Sequence, residues 1–216
     1  MKFENTEVFN FEGALRGMRN PLNSHAKSDS RFIKTTDEDG FIETINIGEN
    51  DMKLALSLIK AGGEHRKFMR QIFVSVDITA PIYWWKEFDT YKVGTVANST
   101  STMHKLASTP ITKGCFEMDD FENLEEGSLS ISYFWESAIS RLEFLRQKYN
   151  ETKDKRYWKE LIRLLPESWL QTRTVTMNYE NLLNMFHQRK NHKLTEWHSF
   201  CDWVKTLPCA KEFICE

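Results

Sequence analysis

The sequence lacks any apolar run long enough to cross a membrane, and its opening segment MKFENTEV is charged and polar. We therefore expect neither a membrane span nor a secretory signal, and a cytoplasmic protein without a membrane partner. Charge of one sign is also missing, because 29 basic residues nearly balance 31 acidic residues. That balance excludes the strong positive field with which a protein holds a nucleic acid polymer.

Cysteine pairs and standard catalytic signatures are absent as well. The four cysteines form no C-x-x-C pair, so we expect free thiols. The histidines His187, His192 and His198 lack a companion ligand at a spacing typical of zinc, and we predict no metal site. No G-x-S-x-G, G-x-G-x-x-G or Walker motif occurs, so the sequence offers neither an activated serine nor a standard phosphate-binding loop.

What is present is enough apolar sequence for one sizeable core. The chain has 216 residues and 40% hydrophobic content, which we interpret as a single domain over residues 1–216. Periodicity predicts strands at 6–11 and 68–82, helices at 49–61, 83–91, 129–149, 158–165, 179–188 and 194–206, and a polar loop at 94–105. The helical hairpin formed by 129–149 and 158–165 is expected to break at Asn150. Strands early and helices late predict an α/β or α+β fold.

Polar residues interrupt the apolar pattern near the predicted helix 179–188. Asn178, Asn181, Asn184 and Arg189 lie among leucines and a phenylalanine. Eleven residues at 3.6 per turn place Arg189 within about 20° of Asn178 on one helix face, so both side chains are expected to converge on a single ligand. A guanidinium suits phosphate or a pyrimidine carbonyl, and an amide can pair with a flat heterocycle. From the spacing alone, a solvated polar face is an equal alternative.

Two further segments carry groups that suit phosphate. In GGEHRK, residues 62–67, backbone N–H groups and two cations could meet a pyrophosphate, although a helix end followed by a solvated charge run is the commoner reason for such a pattern. The segment 95–101 offers hydroxyls and Asn98, which could cradle phosphate or simply form a turn. Neither segment identifies a ligand by itself.

The C-terminal third, LLPESWLQTRTVTMNYENLLNMFHQRKNHKLTEW, resembles the corresponding segment of flavin-dependent thymidylate synthases. There a Leu-Pro precedes a t-x-N-x-x-x-L helix, and an arginine follows the asparagine by eleven residues. Upstream, LIKAGGEHRKFMRQIFVSVDITAPIYWW resembles the family's Gly-His-x-Ser-Pro segment and the strand that leads into an Ala-Pro. The family signature R-H-R-x-x-S-x-N-E-x-S-x-R-Y is degraded at residues 90–101, where Asn98 and Ser101 match in one register and R-H-R is missing.

The resemblance implies an α/β fold with a twisted central sheet flanked by helices, and a homotetramer with shared FAD sites. It also implies methylation of dUMP to dTMP with methylenetetrahydrofolate as carbon donor and NADPH as reductant. Cofactor contacts are implied at His65, Arg66, Tyr91, Lys92, Asn178, Asn184 and His192. Substrate contacts are implied at Thr95, Asn98, Ser101, Arg163 and Arg189, and Arg189 is also the implied catalytic residue.

The missing R-H-R leaves two alternatives open, because in the family those cations lie beside the flavin and the nucleotide phosphate. One alternative is a diverged relative that binds or modifies another pyrimidine nucleotide. The other is a non-catalytic nucleotide-binding protein without flavin. Flavin absorbance of the purified protein separates this last alternative from the other two.

Overall fold

The computed structural model describes residues 1–37, 40–118 and 131–216, without the side chains of 34–37, 40–43 and 104. In this part of the chain the strands are β1 Lys2–Phe9, β2 Arg31–Asp37, β3 Gly40–Asn46, β4 Phe73–Pro81, β5 Val96–Ser99 and β6 Leu170–Asn178. The helices are α1 Phe11–Met18, α2 Glu49–Lys60, α3 Ile82–Phe88, α4 Thr102–Lys105, α5 Ile131–Thr152, α6 Lys155–Leu164, α7 Tyr179–Arg189 and α8 Thr195–Lys205. The predicted mixed α/β fold is confirmed.

The main sheet has four strands in the order β1-β4-β6-β5, and β2 and β3 form a separate antiparallel hairpin. The alternation predicted for β4 is confirmed, since Val74, Val76 and Ile78 are all fully buried. β-branched side chains at every second position give a strand one continuous apolar face. Pro81 ends the strand, as predicted, because it has no N–H to donate to a ladder.

Contacts between Cα atoms divide the chain into two compact units. One contains residues 1–2, 78–90 and 98–174, and the other contains residues 3–77, 91–97 and 175–216. Each unit is assembled from three separate stretches of the chain. The single domain interpreted from length stays a prediction.

The unit that contains α7 has an aromatic core. Helix α1 buries Phe11 and the apolar residues that follow it at helical spacing, and the Phe11 ring meets the Tyr179 ring edge-on at 5.3 Å. The Tyr179 hydroxyl donates to the Pro208 carbonyl at 2.6 Å. Phe213 is also buried, and the centre of its ring lies 6.3 Å from the centre of the Phe11 ring. These contacts fix the start of α7, the helix that carries the predicted ligand contacts Asn184 and Arg189.

The other unit has its own apolar cluster around α5 and α6. Its buried members are Leu106, Ile111, Phe116, Leu142, Leu145 and Leu161. Phe116 lies between two tryptophans, with ring centroids 5.6 Å from Trp135 and 5.4 Å from Trp169. Aromatic pairs in such tilted and edge-on arrangements stabilise a core beyond the area they bury.

Several predicted boundaries are wrong. The strand expected from 68 begins at Phe73, after a 3-10 turn, and the loop expected at 94–105 contains β5 and α4. Helix α5 continues past Asn150 to Thr152, because the break occurs where Lys153 adopts φ +55° and Asp154 caps α6. The first two residues of the helix predicted at 129–149 lie outside the described part. The sequence interpretation also lacks the hairpin β2–β3 and the late strand β6.

Candidate ligand-binding site

A pair of asparagines organises the first turn of α7. The side-chain oxygen of Asn178 accepts the Asn181 N–H at 3.0 Å, and the side-chain oxygen of Asn181 accepts the Asn178 N–H at 3.2 Å. This reciprocal capping box satisfies backbone donors that the start of a helix leaves without partners. Asn178 is buried. Its amide therefore has a structural task at the start of α7.

The expected convergence of Asn178 and Arg189 on one helix face is wrong. Asn178 lies one residue before the helix and has an extended backbone, with φ −119° and ψ 168°. A helical angle does not apply to a residue outside the helix. The eleven residues of α7 also span about 15 Å at the usual rise per residue. The two side chains thus mark opposite ends of α7.

The turn at residues 91–97 packs against the first turn of α7. Gly94 has φ +77°, and a Cβ placed there would lie 2.9 Å from the Asn181 side-chain oxygen and 3.0 Å from the Asn178 side-chain nitrogen. Asn181 also donates to the Val93 carbonyl at 2.7 Å. The Thr95 hydroxyl donates to the carbonyl of Tyr91. Only glycine fits this close approach without strain, and the turn is held in a defined position beside α7.

At the other end of α7, Arg189 joins an aromatic and polar group. Its Nε donates to the Tyr91 hydroxyl at 2.7 Å, and that hydroxyl donates to the Gln188 side-chain oxygen at 2.9 Å. The guanidinium carbon lies 4.7 Å from the centre of the Trp197 ring and 5.5 Å from the centre of the Tyr91 ring. Trp197 is fully buried, whereas Arg189 is half-buried. Stacking and hydrogen bonding together fix the direction of the guanidinium.

His192 belongs to the same neighbourhood. Its ring lies 6.3 Å from the Trp197 ring, and its Nδ1 accepts the Leu194 N–H at 3.2 Å. An accepting Nδ1 carries no proton, so in neutral His192 the proton lies on Nε2. The structure therefore brings Tyr91, Arg189 and His192 together around Trp197. Two other predicted contacts, Lys92 on the turn and Asn184 on α7, are exposed.

The basic segment at residues 62–67 is joined to α7 by an acidic residue. Glu180 accepts from the Nε of Arg66 at 3.0 Å and also from Arg70. Burial raises the pKa of Glu180, but the hydrogen bonds from Arg70 and Arg66 lower it by more, so the pKa lies below its ordinary value. The charge of Arg66 is therefore matched within the protein. His65 is exposed in the preceding turn.

Three predicted substrate contacts belong to the other unit. Asn98 is exposed on β5, and Ser101 is half-buried just before α4. Arg163 is exposed in the last turn of α6, where it pairs with Glu160. An arginine paired at i,i+3 on a helix surface is a common solvated arrangement.

Sequence reasoning missed the residues that hold the predicted ones in place. Trp197 was not singled out, although the guanidinium of Arg189 stacks on its ring. Glu180 and Gln188 were not singled out, yet each binds a predicted site residue. Their positions in the sequence could have indicated them, because Gln188 is next to Arg189 and Glu180 lies between Asn178 and Asn181.

No group of three or more His, Cys, Asp or Glu side chains within residues 1–37, 40–118 and 131–216 could hold a metal ion. No helix in those same stretches is both long and apolar enough to cross a bilayer.

The arrangement of strands and helices is that of the flavin-dependent thymidylate synthases. Two crystal structures of ThyX from Helicobacter pylori, each with FAD and dUMP, are similar to this chain along almost its whole length. One has a TM-score of 0.66 and 16% identity, and the match covers 99% of this chain and 98% of the other. The second has a TM-score of 0.67 and 17% identity, with 100% and 98% covered.

No protein-family model and no curated protein matches the sequence. At 16–17% identity the structural likeness shows the fold. The fold that the sequence resemblance implied is therefore confirmed. FAD and dUMP are ligands of the two similar structures.

Proposed function

We propose that this chain binds FAD and dUMP and methylates dUMP to dTMP, with methylenetetrahydrofolate as carbon donor and NADPH as reductant. The observation that supports this most is the contact between Tyr91 and Arg189, 98 positions apart in the sequence. Both residues were selected as ligand contacts from the sequence resemblance. They meet in a fold that matches FAD- and dUMP-bound ThyX along nearly its full length.

The side chains at the two ends of α7 have complementary chemistry for these ligands. Arg189 supplies a fixed, half-buried guanidinium that suits a uracil carbonyl or a phosphate. Asn178 and Asn184 supply amides, and Tyr91, Lys92 and His192 supply further donors close to α7. The proposed substrate contacts Thr95, Asn98, Ser101 and Arg163 add three neutral polar groups and one cation.

The donor set fits FAD only in part. Exposed Lys92 and His65 suit a diphosphate, and the exposed amide of Asn184 suits a flavin ring. Arg66 fits less well, because its charge is already matched by Glu180. Bound FAD in its reduced form would supply the hydride, which no side chain of a protein can donate. The protein's task is then to bind and orient both nucleotides.

The first experiment measures FAD binding by the quenching of flavin fluorescence. We expect saturable quenching by the full chain, weaker quenching by Asn184→Ala, and parent-like quenching by Asn50→Ala. Asn50 is the control, because it is another exposed asparagine on a helix and is not among the proposed ligand contacts. Protein that never quenches added FAD would refute the flavin part of the proposal.

The second experiment tests the reaction. Chemically reduced FAD, dUMP and methylenetetrahydrofolate are mixed with the protein without oxygen, and dTMP is measured by mass spectrometry. Formation of dTMP that requires the protein and is lost in Arg189→Ala supports the proposal. FAD binding without dTMP formation would contradict the proposed reaction and leave only the flavin part of the proposal.

We also propose a homotetramer whose FAD sites are shared between subunits. The support is the likeness of fold together with the family's use of shared sites, which the sequence resemblance implies. Light scattering at micromolar concentration measures the mass directly. A mass of one chain, 25.5 kDa, would contradict this assembly.

A second candidate function is action on another pyrimidine nucleotide. The observation that favours it is the missing R-H-R, in whose place the turn at 91–97 carries Lys92. Fewer cations would change contacts near the flavin and the nucleotide phosphate. Calorimetric titration with dUMP, UMP, dCMP and CMP distinguishes the two, because the first proposal requires dUMP to bind most tightly.

A further inference from the structure

A small cleft in the unit that contains α7 is separate from the residues proposed to bind FAD and dUMP. It has a volume of ≈280 Å³ and lies among residues of α1 and of the loop before β2. Its polar lining residues are Glu12, Arg16, Arg19, His25, Ser28 and Ser30. Cofactor and drug-sized ligands usually occupy pockets of about 300–1,000 Å³, so this cleft suits a smaller group.

Arg19 is the central residue of this cleft. It is only 4% exposed, and its Nε donates to the Asp51 carboxylate at 2.5 Å. Its Nη1 donates to the Ser24 carbonyl at 3.3 Å. These bonds fix the plane of the guanidinium, and therefore also fix the direction of Nη2.

Asp51 is fully buried and has several donors besides Arg19. The hydroxyls of Ser28 and Ser30 donate to it at 2.7 and 2.6 Å, and the backbone N–H groups of Asp29 and Ser30 donate at 3.2 and 3.1 Å. Burial raises the pKa of Asp51, but the hydrogen bonds from Ser30, Ser28 and Arg19 outweigh burial and lower it. The carboxylate is thus ionised and accepts from many donors. In Arg19 it binds only the Nε and leaves the other guanidinium nitrogens to other partners.

The Nη2 group of Arg19 is buried and has no hydrogen-bond partner among the described residues. Nearly all buried polar groups in folded proteins have a partner, so such a group calls for an explanation. Arg19 lines the cleft, and two exposed side chains that can carry positive charge, Arg16 and His25, line it as well. An oxyanion in the cleft would meet both of these side chains beside the guanidinium whose Nη2 has no partner in the described part of the chain.

We infer that this cleft binds an oxyanion of the phosphate class, either inorganic phosphate or the phosphoryl group of a small metabolite. A tetrahedral oxyanion presents acceptors in several directions, which suits donors on Arg16, Arg19 and His25. Glu12 opposes binding, because its carboxylate lines the same cleft. The inference does not depend on flavin or dUMP binding.

The test is calorimetric titration of the full chain with inorganic phosphate, followed by titration with glycerol phosphate and with acetate. We expect saturable phosphate binding that weakens about tenfold or more in Arg16→Gln, since a charge-assisted hydrogen bond is lost. Glu12→Gln is expected to bind phosphate more tightly. Lys27→Gln is the matched control, because it removes an exposed cation outside the cleft lining and should bind like the parent.

Arg19 itself is followed by nuclear magnetic resonance of arginine side chains, because Arg19→Gln would leave Asp51 buried without its cation. The resonance of its Nε–H should shift as phosphate is added to the parent protein. No saturable phosphate binding, equal binding of acetate, or equal binding by Arg16→Gln would each overturn the inference. Tighter binding of glycerol phosphate than of phosphate would identify a metabolite phosphoryl group as the ligand. FAD quenching by Arg16→Gln should equal that of the parent, so the two proposals can fail separately.

Discussion

Arg189→Ala is expected to have two separable effects, one on ligand binding and one on stability. Loss of a hydrogen bond to a charged ligand costs about 1.5–3 kcal/mol, which corresponds to nucleotide binding weaker by about ten- to a hundredfold. The same change removes the bond to Tyr91 and the stacking on Trp197. Those contacts stabilise the fold by about 1.5–3 kcal/mol together.

Calorimetric titration with dUMP and unfolding in urea measure these two effects on the same variants. Arg189→Lys keeps the charge but loses the planar fork, so it should recover little nucleotide affinity. Tyr91→Phe keeps the ring and removes the hydroxyl, so the guanidinium loses one of the contacts that orient it. Lys190→Ala is the matched control, because it removes the neighbouring exposed cation and should leave both measurements nearly unchanged.

The result that would refute this reasoning is specific. If folded Arg189→Ala bound dUMP and related pyrimidine nucleotides as tightly as the parent while its stability fell, Arg189 would be a structural residue only. The polar group at the end of α7 would then serve to anchor the turn at 91–97.

Further expected outcomes concern stability. Asn178→Ala should lower the free energy of unfolding in urea by about 1 kcal/mol through loss of the helix cap, and an unchanged value would contradict the capping role. Gly94→Ala should lower it by about 1–2 kcal/mol, since φ is +77° there, and parent-like stability would show that the turn relaxes easily. The hydrogen bonds from Arg146 lower the pKa of Glu143 from its ordinary 4.5 to about 2, although burial opposes them. That stabilisation is complete above pH 4.5 and is lost as the pH falls towards 2, so the stability deficit of Glu143→Gln should shrink over that interval; a constant deficit would contradict the ion pair.

Elements with a clear apolar period could be predicted from the sequence, and those without one could not. In β4, β-branched residues alternate with polar ones, and the strand is found as expected. In β6, threonines occupy several positions and most of the strand is only half-buried, so the apolar alternation is limited to Val175 and Met177. Its β-branched residues were nonetheless a usable signal. The hairpin β2–β3 depends on pairing between strands, which single-strand patterns do not contain.

For the candidate site, too, the sequence indicated individual residues but not the contacts between them. The resemblance selected Tyr91 and Arg189 from separate segments, but only the tertiary structure shows that they touch. Trp197 supports Arg189 from a different helix, and no spacing rule links positions that meet only after packing. The angle drawn between Asn178 and Arg189 failed for a local reason, because an asparagine at the start of a helix often caps it instead of continuing it.

The two ends of α7 differ in what they can offer a ligand. A helix N-terminus usually favours anions, but here the asparagine pair occupies backbone donors and Glu180 places a negative charge in the first turn. A phosphate at that end would meet Glu180 as well as the arginines paired with it. At the C-terminal end, Arg189 is favoured by the helix dipole and oriented by Tyr91 and Trp197. The negative group of a nucleotide is therefore better matched at the C-terminal end of α7, and the neutral amide of Asn178 at the other end is better matched to an uncharged ring.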